Sequence, residues 1–273
     1  MNASLKKVIS EFIGTFVFLL AVAGATSSGS PLKQISLALA LGLMILTIGP
    51  ISGAYFNPVV SIYFFAKRQI SFGLLISYVA AQLLGAFFGI ATGLALWQKT
   101  ISPITDGNQV EVSIFAGEVV ATAGLVFLIA TLINNKQVGM IWFAVPMWVF
   151  AAGTFTVTGA IANPAVAFGL MFNGISSGSI ASIVVAQLVG LVLAILLLML
   201  TEAKVAKKAP AKKLAPEFVP APIVSAPAAA KKPATAKKPV AKKAPAKKAP
   251  AKSAPKSAPK AISKAAPKSA PKK

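Results

Sequence analysis

Six long runs of apolar positions fill the first two hundred residues of the chain, at about 8–27, 34–50, 72–97, 113–133, 139–159 and 179–200. Each is close to the roughly 20 apolar residues that a helix needs to cross a bilayer, so the pattern predicts six spanning helices. The first run follows Lys6 and Lys7, as a cleaved leader would. Glu11 interrupts it and five similar runs follow, so it is expected to be a retained helix. Two further apolar runs, 57–66 and 163–172, are too short to span. Ten residues of helix reach roughly 15 Å, about half of a ~30 Å hydrocarbon core. Each short run opens on Asn-Pro, at Asn57-Pro58 and Asn163-Pro164. Asn is a favoured helix cap and Pro a favoured first helical residue, so both runs read as half-helices.

The same features occur twice, in the same order. Glu11 precedes Thr15 by one helical turn, as Glu118 precedes Thr122. Gly53-Ala54-x-x-Asn57-Pro58 returns as Gly159-Ala160-x-x-Asn163-Pro164, and Ala81-Gln82 returns as Ala186-Gln187. The spacings agree to within one residue. Each copy holds three spans. An odd number makes the second copy enter the membrane from the opposite side, so the copies are inverted about an axis in the membrane plane. That symmetry brings Asn57 and Asn163 together near the midplane. Non-helical backbone survives at that depth only where protein buries it or where it lines a wet cavity. A pore between the copies is expected.

Charge divides the chain in two. Up to position 200 there are seven basic residues against Glu11, Asp106, Glu111 and Glu118, whereas 201–273 holds 20 lysines against Glu202 and Glu217. The net charge of +21 therefore describes the tail. The predicted domains are a body, 1–202 (copies 1–100 and 110–202), and a disordered Lys/Ala/Pro-rich tail, 203–273, whose recurring prolines forbid sustained helix. The tail is expected to contact anionic lipid or other polyanions; its one aromatic residue, Phe218, gives no basis for base stacking or specific nucleic-acid binding. Lys6, Lys7, Lys67, Arg68 and Lys136 fall on one side of the six spans, which places both termini in the cytoplasm of a multi-pass cell-membrane protein. The chain has no Cys and no His, and at 12% charged residues few acids. Thiol, imidazole and paired-carboxylate chemistry is thereby disfavoured, and no enzyme activity, cofactor or metal is expected.

On the segments Ser-Gly-Ala-Tyr-Phe-Asn-Pro-Val (52–59) and Thr-Gly-Ala-Ile-Ala-Asn-Pro-Ala (158–165), the two glutamates and the Ala-Gln pairs, the chain resembles the aquaporin, or major intrinsic protein, family over about residues 6–200. The resemblance implies an all-α right-handed bundle of six spans and two half-helices, commonly a homotetramer with one pore per subunit. Its pore motifs correspond to Asn57, Pro58, Val59 and Asn163, Pro164, Ala165, with Val59 where Ala is usual. Val166 stands where the family carries an Arg. The other positions of the outer filter correspond to Ala151, Ala160 and either Leu37 or Leu41, and the family's His before Ile-Ser-Gly is Pro50. Such an apolar, uncharged filter either widens the pore for glycerol-like molecules, ammonia or metalloid acids, or still carries mostly water.

The expected mechanism follows from charge. Two half-helices aim their positive N-terminal ends at the midplane, and two Asn amides donate to a passing oxygen; cations are repelled and neutral molecules pass. Glu11, Glu118, Gln82 and Gln187 lie inside apolar spans, where polar groups are functional candidates. They are read as structural supports for the half-helix loops, with a proton relay as the alternative for the acids. Two other classes remain open: a secondary transporter with inverted repeats, and a membrane anchor acting through its basic tail.

Overall fold

In a computed structural model of the chain, residues 2–107 and 111–201 are described. The tail assigned to 203–273, and the ends of copy two at 110 and 202, lie outside the described residues. Among the described residues the fold is all-α: α1 (Ala3–Ser28), α2 (Lys33–Ser52), α3 (Pro58–Ala66), α4 (Phe72–Leu96), α5 (Val112–Asn134), α6 (Ile141–Phe155), α7 (Pro164–Met171) and α8 (Ser177–Thr201). A 3-10 turn at Val138–Met140 leads into α6. Six of these segments are long and apolar enough to cross a membrane, the 3-10 turn counting with α6. The other two are the half-helices α3 and α7.

The chain folds as an inverted repeat, α1–α4 followed by α5–α8. The most extensive packing joins α1 to α4 and, equivalently, α5 to α8. The two copies meet where α2 lies on α6, where α7 packs on α4, and where α3 approaches α7 and α8. Close approach explains the first pair. A Cβ on Gly85, Gly89 or Gly93 of α4 would fall 2.6 Å from Phe12 O, 2.4 Å from Phe16 O and 2.5 Å from Ala23 Cβ on α1. Only hydrogen fits there, and small residues are what let helices pack backbone to backbone in lipid. In the second copy Gly190 of α8 meets Val119 O in the same way, but Ala194 and Leu198 take the next two turns. The α5–α8 contact is accordingly smaller than that of α1 and α4.

Both half-helices start as their sequence predicts. Asn57 and Asn163 are extended N-caps whose side-chain oxygens accept from Val59 N and Ala165 N at 2.9 Å, with Pro58 and Pro164 next. One span differs from expectation: the apolar pattern carries the fifth to 159, yet α6 ends at Phe155. Thr156 turns extended, and the backbone through Gly159, Ala160 and Ala162 takes left-handed conformations. The chain needs those residues to return from the far end of α6 to the midplane, so they are lost to the helix.

Candidate functional site

The loops before α3 and α7 are built alike. Gly53, Ala54 and Phe56 have positive φ, and so do Gly159, Ala160 and Ala162. Glycine adopts that region freely, but Ala and Phe do not, and non-glycine residues are held there only by a surround that fixes them. The surround is a buried carboxylate in each copy. Glu11 Oε1 accepts from Ser52 Oγ (2.6 Å) and Tyr55 N (3.0 Å), and Oε2 accepts from Phe56 N (2.7 Å) and Gln82 Nε2 (2.8 Å). Glu118 repeats this with Thr158 Oγ1 and Ile161 N (3.0 Å) on Oε1, and Ala162 N and Gln187 Nε2 (both 2.8 Å) on Oε2. All four side chains, the two Glu and the two Gln, are fully buried. Four donors per carboxylate offset the cost of burying it.

The half-helices meet end to end at their caps. Asn57 Nδ2 donates to Ala162 O at 2.9 Å, and Asn163 Nδ2 donates to Phe56 O at 2.8 Å. Each carboxamide thus spends its oxygen on its own helix and one N–H on the loop of the other copy. A carboxamide nitrogen carries two N–H groups, so one remains on each Asn. Both asparagines line a single cavity of ≈ 80 Å³ whose other walls include Leu41, Ile45, Tyr55, Phe64 and Val145. A second cavity of ≈ 500 Å³, lined by Lys33, Leu37, Glu111, Ile161 and Ser179, opens at the other end of the body. Ile161 borders both.

The expected filter positions do not line one cavity. Leu41 and Ala160 border the smaller, Leu37 the larger, and Val166 and Ala151 neither. Val166 is buried against the interior. Ala151 is exposed on a different face of α6 from Ile141, Val145 and Val149, which border the small cavity at four-residue intervals. Two residues on from Val149 is about 200° around a helix. Val59 and Ala165 are fully buried beside their caps. Sequence reasoning missed Ser52 and Thr158, although they stand in register at the head of the two motifs. It also missed Tyr55 and Phe64, which stack at 4.3 Å and 7°.

A family model described as "Major intrinsic protein" matches residues 1–152, more than half of the chain. The chain belongs to the major intrinsic protein family. The matched stretch carries the first Asn-Pro motif and most of α6. The second motif, at Asn163, lies beyond it and rests on the internal repeat. Among curated relatives, aquaporin NIP3-1 of Arabidopsis thaliana is 29% identical over 64% of this chain and 54% of its own. The aquaglyceroporin AqpS of Rhizobium meliloti (strain 1021) is 30% identical over 63% of this chain and 78% of its own. Human aquaporin-4 is 31% identical over 60% of this chain and 57% of its own, so the chain spans little more than half the length of the plant and human relatives. The X-ray structure of the aquaglyceroporin from Plasmodium falciparum superposes with a TM-score of 0.57, 24% identity, and coverage of 71% of this chain and 95% of that one. That likeness concerns the fold, which is the family's.

Proposed function

We propose that this member of the major intrinsic protein family is a passive channel for water and small uncharged solutes. The observation that carries the reading is the reciprocal bonding of Asn57 and Asn163, which holds two amide donors and two positive helix ends around one narrow cavity. A neutral hydroxyl or water oxygen accepts from both amides; a cation there meets two helix N-termini and no carboxylate that is not already saturated by donors. Glu11, Glu118, Gln82 and Gln187 act as struts for the loops. Leu37, Leu41 and Ala160, which border the two cavities, are proposed to leave the passage without a charged filter, with Ala151 and Val166 outside its lining, and relatives named aquaglyceroporins support including small neutral solutes beside water. The body is proposed to sit in the cell membrane as a homotetramer with both termini cytoplasmic, which puts Lys6, Lys7, Lys67, Arg68 and Lys136 on the inner side. Segment 203–273 is proposed to touch anionic lipid or other polyanions through its lysines.

Stopped-flow light scattering on proteoliposomes tests the reading. Osmotic water flow well above that of empty liposomes, unaffected by ion gradients and non-saturating, is the expected result. Flux that saturates and follows an ion gradient would make the protein a transporter instead.

A further inference from the structure

We propose that solutes are sorted in the half of the pore that opens on the side of Lys67 and Arg68, by the stacked rings of Tyr55 and Phe64. The inference rests on the channel reading and names where its selective step lies. The two copies share one backbone plan, and the side chains at matching positions around the pore differ in bulk between them. In the register fixed by Asn57 and Asn163, Tyr55 corresponds to Ile161 and Phe64 to Leu170; in the register of Gln82 and Gln187, one residue shorter, Tyr78 corresponds to Ile183. The aliphatic set, Ile161, Leu170 and Ile183, borders the ≈ 500 Å³ cavity. Tyr55 and Phe64 border the cavity of only ≈ 80 Å³, and Tyr78 packs against Tyr55.

The rings are held in place from several directions. Tyr55 stacks on Phe64 at 4.3 Å and meets the edge of Tyr78 at 5.5 Å. Tyr78 is fixed in turn by donating from its hydroxyl to Ser52 O at 2.8 Å. Tyr55 N is bonded to Glu11, and its ring lies over Gly53, where a Cβ would come within 2.7 Å of it. A ring restrained at its backbone, its face and its edge cannot swing out to admit a wider molecule. Ile45 and Val145 line the same cavity and add apolar surface. A slender molecule that needs few hydrogen bonds fits this passage. A triol has to shed water from three hydroxyls against walls that return little, and every polar group left unmatched there raises its barrier. The roomier far half, with Thr158, Ser179 and Lys33 on its wall, imposes no such demand.

The test exchanges the aromatic residues for those that the same chain uses in its other half, Tyr55→Ile and Phe64→Leu, singly and together. Osmotic water permeability and glycerol and urea uptake are compared in proteoliposomes at equal protein content. The expected result is a glycerol-to-water ratio at least threefold above wild type in the double variant, while Tyr55→Phe, which keeps the stack, stays near wild type. Ile175→Ala, which widens the far cavity, is expected to leave the ratio unchanged. Variants that conduct water like wild type but keep its glycerol ratio, or a ratio that responds to Ile175→Ala alone, overturn the proposal. A wild-type protein with no water flux overturns the channel reading itself, and the proposal with it. If the double variant folds poorly, Phe64→Leu alone decides, since it removes the stacking partner and leaves the loop sequence intact.

Discussion

At the scale of single residues, the site is a set of donors counted against acceptors. Ser52 Oγ and Tyr55 N converge on one oxygen of Glu11, and Phe56 N and Gln82 Nε2 on the other. Whichever way an amide is turned in Glu11→Gln, its NH₂ faces two donors and a buried backbone N–H loses its acceptor. We expect a loss of about 1–3 kcal/mol in stability, read as earlier thermal unfolding in detergent, and a similar loss for Glu118→Gln because its bonds are the same. Asn57 separates two roles on one side chain. Asn57→Asp keeps the oxygen that caps α3 but removes the donation to Ala162 O and sets a negative charge at the junction of the half-helices. The expected outcome is folded protein whose vesicles leak protons or cations, followed with a pH-sensitive dye; an unchanged ion barrier would show that the amide donors do not maintain it. The glutamates, glutamines and asparagines were legible in the sequence because each occurs twice in register. Ala151 was misleading because its distance from Asn163 fixes a height along the pore but not a phase around α6.

Elements were legible where apolar length decides and less so where packing does. The predicted spans at 8–27 and 113–133 lie within α1 and α5, and Asn-Pro marked the start of both half-helices correctly. The end of α6 was not legible, since Thr156–Ala162 is apolar enough to continue a helix and is diverted by bonds to Glu118, a residue of another element. The glycines of α4 make a sharper element-scale prediction. Gly89→Ala places a methyl group 2.4 Å from Phe16 O on α1, so backbone must part. Overpacking of this kind costs about 1–3 kcal/mol and is expected to lower the yield of folded protein markedly. Gly73→Ala, in the same helix, meets nothing within 4 Å and should be neutral or slightly stabilising by the usual helix preference, about 0.5–1 kcal/mol. In α8 the corresponding turn already holds Ala194. Ala194→Gly should cost that preference plus the packing of one buried methyl group. Thermal unfolding of the three variants side by side checks the ranking, and equal behaviour of Gly89→Ala and Gly73→Ala would refute the close α1–α4 contact.

For the whole molecule, the inverted arrangement followed from an odd number of spans per copy, a parity argument that needs no side chains. The unequal cavities did not follow, because their widths depend on rings and branches from several helices meeting in one place. The division of charge argues for a further division of labour. The body carries seven basic and four acidic residues up to position 200, and two of those acids are internal struts with every oxygen bonded. The bonds that shape the small cavity, from Glu11 to Gln187, all lie within residues 11–187. Nothing in that set calls on the lysines beyond 201, so chain ending at 202 should conduct water within about twofold of the full chain at equal protein content. Each lysine near an anionic surface contributes about 1 kcal/mol at most, and the attraction is screened over about 10 Å at 0.1 M salt. Proteoliposomes bearing the full chain should therefore cluster with added anionic vesicles at low salt and release them as salt rises, while the truncated protein should not cluster them at all. Flux abolished by the truncation would mean that the body does not form the conducting unit alone; clustering that survives it would move the polyanion contact onto Lys6, Lys7, Lys67 and Arg68.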